Sequence, residues 1–241
     1  MYKNYLGLET GVETIKGRIT EIFPSIQGEG KYIGTKQLFI RFAGCNLDCV
    51  FCDTDIEKHH EYTVSELVKK MAVWLSKESF HSVSLTGGEP LLQTVFLQQI
   101  MSEIKKLEQI IYLETNGTLP QELNEVISLV DIVSLDFKLP SAISKKVYWN
   151  EHLASLRIAK SKDSFVKIVL TPEALEEEIE LVFNIIEKQA KTQTVILQPA
   201  TQYLPLNDLF YRKIRKFQEL GLKRLVDVRV ISQMHPFLGV R

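Results

Sequence analysis

The chain has 241 residues, 45% hydrophobic and 24% charged, with 29 Lys and Arg against 30 Asp and Glu for a net charge of -1. That length suits one large α/β domain; the balanced charge excludes a global pull toward nucleic acid or anionic membrane, and no run approaches the roughly 20 apolar residues of a membrane span. Met1 to Thr14 lack the apolar core of a signal peptide, so the expected location is the cytoplasm, where clustered thiols bind metal rather than pair.

In chain order, Lys16 to Phe23 reads as a strand, followed by the polar loop Pro24-Ser25-Ile26-Gln27-Gly28-Glu29-Gly30. Leu38 to Phe42 is a second strand and runs directly into a loop that carries every cysteine of the chain. Thr63-Val64-Ser65-Glu66 fits a capping box and opens a helix to about Ser76. Ser82 to Leu85 is a strand, ended by Thr86-Gly87-Gly88-Glu89-Pro90, and Leu91 to Leu107 is a helix. The alternation continues with strands at Ile110 to Leu113, Ile132 to Leu135, Phe165 to Leu170, Val195 to Leu197 and Leu225 to Val230. Helices separate them at Pro120 to Leu129, Tyr148 to Ala159, Thr171-Pro172 onward to about Gln189, and Leu206 to Leu220. About six such alternations imply a parallel sheet with crossover helices in one domain, a barrel or open partial barrel. Ligands then belong at the C-terminal strand ends. Thr86-Gly87-Gly88-Glu89, Glu114-Thr115-Asn116-Gly117, Asp136-Phe137-Lys138 and Gln198-Pro199-Ala200-Thr201 lie there.

Cys45, Cys49 and Cys52 have the spacing C-x3-C-x2-C. Three soft thiolates suit an iron–sulfur cluster and leave one metal position for a non-protein ligand. Zinc is the alternative, with His59 or His60 completing the set, but it leaves the Gly87-Gly88-Glu89-Pro90 turn unexplained. In that turn glycine permits close backbone approach to a ligand.

The cysteine loop after an early strand, Phe51 before its last cysteine, and Gly87-Gly88-Glu89-Pro90 after a later strand resemble the radical S-adenosylmethionine (SAM) superfamily. The resemblance implies a partial (β/α)6-type radical SAM barrel, with residues 1–241 forming one core domain preceded by a strand and loop extension. It also implies a [4Fe–4S] cluster on Cys45, Cys49 and Cys52 whose open iron is chelated by SAM. Ser25-Ile26-Gln27-Gly28-Glu29-Gly30, Cys52-Asp53-Thr54 and Gln233-x-His235 narrow this to a resemblance to the 7-carboxy-7-deazaguanine synthase family.

That family converts 6-carboxy-5,6,7,8-tetrahydropterin to 7-carboxy-7-deazaguanine, the 7-deazapurine core on the route to queuosine. A 5′-deoxyadenosyl radical abstracts hydrogen from C6, the ring contracts with loss of ammonia, SAM is regenerated and Mg2+ assists. Carried over, Ile26, Gln27, Gly28 and Glu29 hold the pterin, and Arg41 pairs with its carboxylate in a bidentate way. Thr86, His235 and the terminal Arg241 touch substrate, and Thr54 ligates Mg2+. Gly88, Glu89, Asp136, Phe137, Lys138, Gln198, Pro199, Ala200 and Thr201 are the SAM-side candidates. At Asp136-Phe137-Lys138 many members have Ser-Pro-Lys, so only the lysine matches. The bland alternatives are a solvated charge for Glu29, a strand-edge salt bridge for Arg41, a turn cap for Thr54 and a merely satisfied histidine for His235. His59, His60, His81 and His152 receive no functional role. An electron donor such as a flavodoxin and a homodimer complete the expectation, with neither nucleic acid nor membrane as partner. The rivals are an activase that places a glycyl radical on a partner enzyme and a non-catalytic zinc or cluster-binding protein.

Overall fold

The structure, a computed structural model, describes residues 15–144 and 146–239. Strand β1 (Lys16–Ile26) pairs antiparallel with β2 (Lys36–Phe42) on one side and with β3 (His60–Thr63) on the other. From β2 onward every pairing is parallel: β4 (Ser82–Gly87), β5 (Ile111–Thr115), β6 (Ile132–Asp136), β7 (Asp163–Leu170), β8 (Thr194–Pro199) and β9 (Asp227–Val230). The crossovers are α1 (Val64–Leu75), α2 (Thr94–Lys106), α3 (Pro120–Val126), α4 (Trp149–Ala159), α5 (Glu176–Ala190) and α6 (Asp208–Leu222). The result is six β/α units in a nine-stranded sheet of order β3-β1-β2-β4-β5-β6-β7-β8-β9, which does not close on itself. Among the described residues no helix is long and apolar enough to cross a membrane.

Side-chain alternation along the strands divides the sheet into two faces. Val83, Leu85, Ile111, Leu113, Val133, Leu135, Val166, Ile168, Val195 and Leu197 face the helices in the main core. There they meet helical stripes such as Phe96, Ile100 and Ile104 of α2. The inner face is graded. Tyr112, Ile132, Phe165 and Ile196 form a small apolar cluster toward the N-terminal strand ends, and Tyr32 packs on it. Farther along the same strands the inward residues become Glu114, Ser134, Asp136, Lys167 and Gln198. The barrel is therefore closed below by aromatic packing and left polar above.

Local signals account for most element ends. Thr63 accepts from Glu66 N at 3.3 Å while the Glu66 carboxylate accepts from Thr63 N at 2.8 Å, the capping box expected at α1. Four elements depart from expectation. Strand β1 continues through Pro24 to Ile26 because its pairing with β2 runs on to Ile26 and Lys36. Strand β3 and the short α7 (His235–Leu238) were not anticipated. Helix α5 begins at Glu176 rather than at Thr171-Pro172: Ala174 N donates to Thr171 O at 3.1 Å in a separate turn. The Glu178 carboxylate then accepts from Leu175 N at 3.1 Å and starts the helix there.

Candidate active site

Two backbone segments are fastened together at the C-terminal end of β2 and β4. Gly88 N donates to Phe42 O at 2.9 Å and Glu89 N to Gly44 O at 2.8 Å. A Cβ on Gly88 would lie 1.9 Å from Gly44 O, so only glycine allows the turn to approach the cysteine loop this closely. Gln93 Nε2 adds a bond to Ala43 O at 3.2 Å. The loop so held presents Cys45 and Cys49 half-buried and Cys52 exposed. Cys45 Sγ faces two donors, Leu47 N at 3.4 Å and Asn116 Nδ2 at 3.9 Å. Burial pushes both the Cys45 thiol and the Cys49 thiol up, Cys49 to about 11. Thiolate ligation there takes a metal's positive charge to displace the protons.

All three cysteines line one cavity of about 1010 Å3 over the polar end of the barrel. Gln27 crosses it at the base: its Nε2 donates to Glu114 Oε1 at 3.0 Å and to Gln37 Oε1 at 3.1 Å, and its Oε1 accepts from Glu29 N at 3.0 Å. Thr86 Oγ1 donates to the other Glu114 oxygen at 3.1 Å. Arg41 is the register partner of Thr86 on the neighbouring strand; its Nε lies 3.3 Å from the Glu21 carboxylate and its Nη1 donates to Thr54 Oγ1 at 3.3 Å. The Arg41 guanidinium also sits over the Phe23 ring at 5.6 Å. Arg41 thus makes the salt bridge of the bland reading while lining the cavity.

Buried charges of alternating sign continue the wall. Glu29 Oε2 is 2.5 Å from Lys167 Nζ, which is 3.5 Å from Asp136 Oδ2, which in turn is 2.7 Å from Lys138 Nζ. Lys138 also lies 5.0 Å from the Phe51 ring centre, beside the last cysteine. Burial pushes the Glu29 carboxyl up, but the Lys167 ammonium with bonds from Lys167, Gln233 and Gln198 outweighs it and holds Glu29 at about 2. Burial pushes Lys167 down, and Glu29, Asp136 and Glu114 together hold it well above the ordinary lysine value. Among the described residues Asp136 Oδ1 and Gln198 Oε1 have no hydrogen-bond partner. Two orphaned acceptors on a cavity wall fit a ligand with hydroxyl or ammonium donors.

The C-terminal segment supplies the remaining side. Gln233 Nε2 donates to Glu29 Oε1, Thr201 Oγ1 donates to Gln233 Oε1, and Met234 N donates to Gly28 O at 2.9 Å. His235 follows, so close that a Cβ on Gly28 would lie 2.7 Å from its Nδ1.

Ile26, Gln27, Gly28, Glu29, Arg41, Thr86, His235, Asp136, Lys138, Gln198, Ala200, Thr201, Thr54 and the three cysteines all line this cavity. Gly88, Glu89, Phe137 and Pro199 do not, so their expected contacts with SAM rest on the family resemblance alone. Gly88 is spent against Gly44. Glu89 is fully buried, accepting from Thr115 Oγ1, Asn116 N and Leu91 N at 2.9, 2.7 and 3.2 Å. Burial raises Glu89 to about 7 despite those three bonds. Phe137 turns into the core and stacks on His152, ring centres 4.6 Å apart. Pro199 is buried at the end of β8. Arg241 and Met1 to Thr14 lie outside the described residues. Sequence reading placed Glu114 and Asn116 at a ligand-binding strand end without giving either a role, missed Lys167 as a cavity residue, and named Gln233 only as part of the Gln-x-His pattern. A lone lysine in the run Phe165-Val166-Lys167-Ile168 was the available signal.

A zinc site with His59 or His60 finds no support, since neither lines the cavity. His60 sits in β3 opposite Ile19, and His59 Nδ1 contacts Glu57 O at 2.8 Å. Among the described residues no three His, Cys, Asp or Glu side chains converge on a single-ion position.

Comparisons with known proteins agree with this geometry. Residues 39–186 match the Radical SAM superfamily model. A 7-carboxy-7-deazaguanine synthase of Geobacter sulfurreducens is 34% identical over 242 residues, covering 92% of this chain and 96% of its own length. One of Archaeoglobus fulgidus is also 34% identical, covering 94% of this chain and all of its own length (100%). In fold, the chain is similar to the crystal structure of QueE from Escherichia coli, with a TM-score of 0.61 at 19% identity over 90% of this chain and 94% of that one. It is likewise similar to a radical SAM methyltransferase from Sphaerobacter thermophilus, with a TM-score of 0.60 at 13% identity over 88% and 77%.

Proposed function

The chain belongs to the radical SAM superfamily and, within it, to the 7-carboxy-7-deazaguanine synthase family, and from that premise we propose the role of each cavity residue. The protein is a radical SAM enzyme of 7-deazapurine biosynthesis that uses a [4Fe–4S] cluster and SAM. The substrate is 6-carboxy-5,6,7,8-tetrahydropterin and the product 7-carboxy-7-deazaguanine. The observation that carries this is the joining of the Gln27–Glu29 loop, Arg41 and the cysteine loop around one cavity of about 1010 Å3. Ligand sites run from about 300 to 1,000 Å3, and this volume lies at the upper end of that range.

Cys45, Cys49 and Cys52 would hold the cluster: they are the soft donors, and three of them leave one iron for SAM. When bound, that group supplies one-electron chemistry that opens the reaction by hydrogen abstraction at C6 of the pterin. The protein's part is to bind and orient. The unpartnered oxygens of Asp136 and Gln198 suit the donor groups of SAM. Gln27, Glu114 and Thr86 form one hydrogen-bonded edge for the flat pterin. Arg41, beside Thr86 on the neighbouring strand, would take the carboxylate end. Thr54 is the proposed Mg2+ ligand: its hydroxyl lies beside Asp53 Oδ1 at 3.4 Å, hard oxygen donors of the kind magnesium prefers. Arg41 takes one of the two acceptor positions of the Thr54 hydroxyl and leaves the other for a cation, so the two proposed roles are neighbours. Glu29 is better placed to fix Lys167 and the C-terminal segment than to meet substrate, since each of its oxygens already accepts a bond. The family premise alone supports a flavodoxin-type reductant, a cytoplasmic setting and a homodimer.

The test is anaerobic reconstitution with iron and sulfide, then incubation with SAM, dithionite and the carboxytetrahydropterin. 7-Carboxy-7-deazaguanine is the expected product. An intact cluster that cleaves SAM only when a second protein is added would favour the glycyl-radical activase. Zinc without iron would favour the non-catalytic reading.

A further inference from the structure

Asn116 makes more contacts than a turn residue at the end of β5 requires. Its backbone N–H donates to Glu89 Oε2 at 2.7 Å, and its carbonyl faces His152 Nε2 at 3.1 Å. Its carboxamide oxygen accepts from Thr118 N at 3.0 Å and from Thr118 Oγ1 at 2.7 Å. Those two bonds fix which end of the carboxamide is nitrogen. That nitrogen donates to Asn46 Oδ1 at 2.8 Å and directs its other hydrogen to Cys45 Sγ, 3.9 Å away. Asn46 is itself locked, since its Nδ2 donates to Thr118 Oγ1 at 2.8 Å. Asn116 and Thr118 are each 6% exposed, so the carboxamide is held by protein partners on the buried side of the sulfur.

A hydrogen bond to a cluster thiolate withdraws charge from it and stabilises the more negative, reduced state. We propose that Asn116, oriented by Thr118 and Asn46, sets the reduction potential of the cluster through its N–H toward Cys45. Asn116 acts through Cys45 and is thus a positioning and tuning residue that takes no part in proton or radical transfer. The inference rests on Cys45, Cys49 and Cys52 being the cluster ligands.

The test compares the parent with Asn116→Ala and Thr118→Val after anaerobic reconstitution, without SAM or substrate. Iron content and the reduced-cluster electron paramagnetic resonance signal are read along a potentiometric titration. Asn116→Ala should keep full iron content and shift the midpoint to more negative potential, with the ratio of reduced to oxidised cluster at a fixed potential falling about tenfold, which is 59 mV for one electron. Thr118→Val frees the carboxamide to rotate and should shift the midpoint the same way by a smaller amount. A fully loaded Asn116→Ala protein whose midpoint equals the parent's overturns the inference. Should Asn116→Ala fail to hold iron, Thr118→Val decides by the same criterion. A parent that takes up no iron would sink the ligand assignment itself, whereas an unchanged midpoint in loaded protein leaves that assignment standing.

Discussion

Replacing Lys167 by methionine isolates the buried charge ladder, because the two side chains are similar in length and only the ammonium is lost. Lys167 and Glu29 are 10% and 19% exposed, so solvent screens their pairing little. Glu29 is held at about 2 against an ordinary 4.5. At about 1.4 kcal/mol per pKa unit that difference represents roughly 3–4 kcal/mol of native stability at neutral pH. Removing one member of a buried pair costs about 3–5 kcal/mol in other proteins, which agrees. The expected loss in urea unfolding at pH 7 is therefore about 3–4 kcal/mol, with an unchanged denaturant slope. The sign of the pH dependence is the sharper test. In the parent, the depressed value means that the Glu29 contribution is complete above about pH 4.5 and disappears as pH falls through about 2. In the variant, burial acts without the ammonium, so Glu29 moves above its ordinary value and protonation favours the folded state. The gap between parent and variant should thus narrow as pH falls from 7 to about 4.5. A gap below about 1 kcal/mol at pH 7, or one that stays constant over that window, would refute the reasoning.

Three further outcomes are expected. Cys45→Ala should abolish SAM cleavage, read as loss of 5′-deoxyadenosine from reconstituted protein; measurable cleavage would remove Cys45 from the ligand set. Thr54→Ala should change the response of turnover to added Mg2+ while iron content stays at the parent level, and an unaltered Mg2+ titration would count against the ligand. Gly88→Ala would place a Cβ 1.9 Å from Gly44 O, forcing the cysteine loop and the turn apart. We expect a loss of about 2 kcal/mol or more in unfolding free energy together with reduced iron retention, and wild-type values of both would show that the turn has more room than the geometry allows.

The parts of the site written as local motifs were legible before the structure. The cysteine loop, Gly87-Gly88-Glu89-Pro90, Gln27 and Arg41 could be found because each sits within a few residues of its neighbours in the motif. The alternation of strands and helices gave the parallel sheet for the same reason. What was not legible depends on contacts distant in sequence. Strand β3 has only His60-Glu61-Tyr62-Thr63, no apolar alternation, and exists because β1 pairs with it. The start at Thr171-Pro172 carried every local helix signal, yet the chain first turns at Thr171 to Ala174 before Glu178 can cap the helix. The position of Phe137 and Pro199 away from the cavity has one cause. Near a strand end successive side chains point to opposite faces, so Asp136 and Lys138 enter the cavity while Phe137 enters the core. Gln198 and Ala200 likewise flank the outward Pro199. A motif read as a block assigns all of its residues to the ligand, whereas the pleat admits alternate ones.

The bond between Gln233 and Glu29 joins residues 204 positions apart. At a synthesis rate of about 5–20 residues per second, the second of these leaves the ribosome roughly 10–40 s after the first. Cys45, Cys49 and Cys52 are therefore translated, and their loop can fold against β4, long before Gln233 and His235 supply the last side of the cavity. During that interval the thiols lie in an open trough rather than a closed chamber. A truncation just before Gln233 should prolong that open state indefinitely while sparing every residue that binds iron.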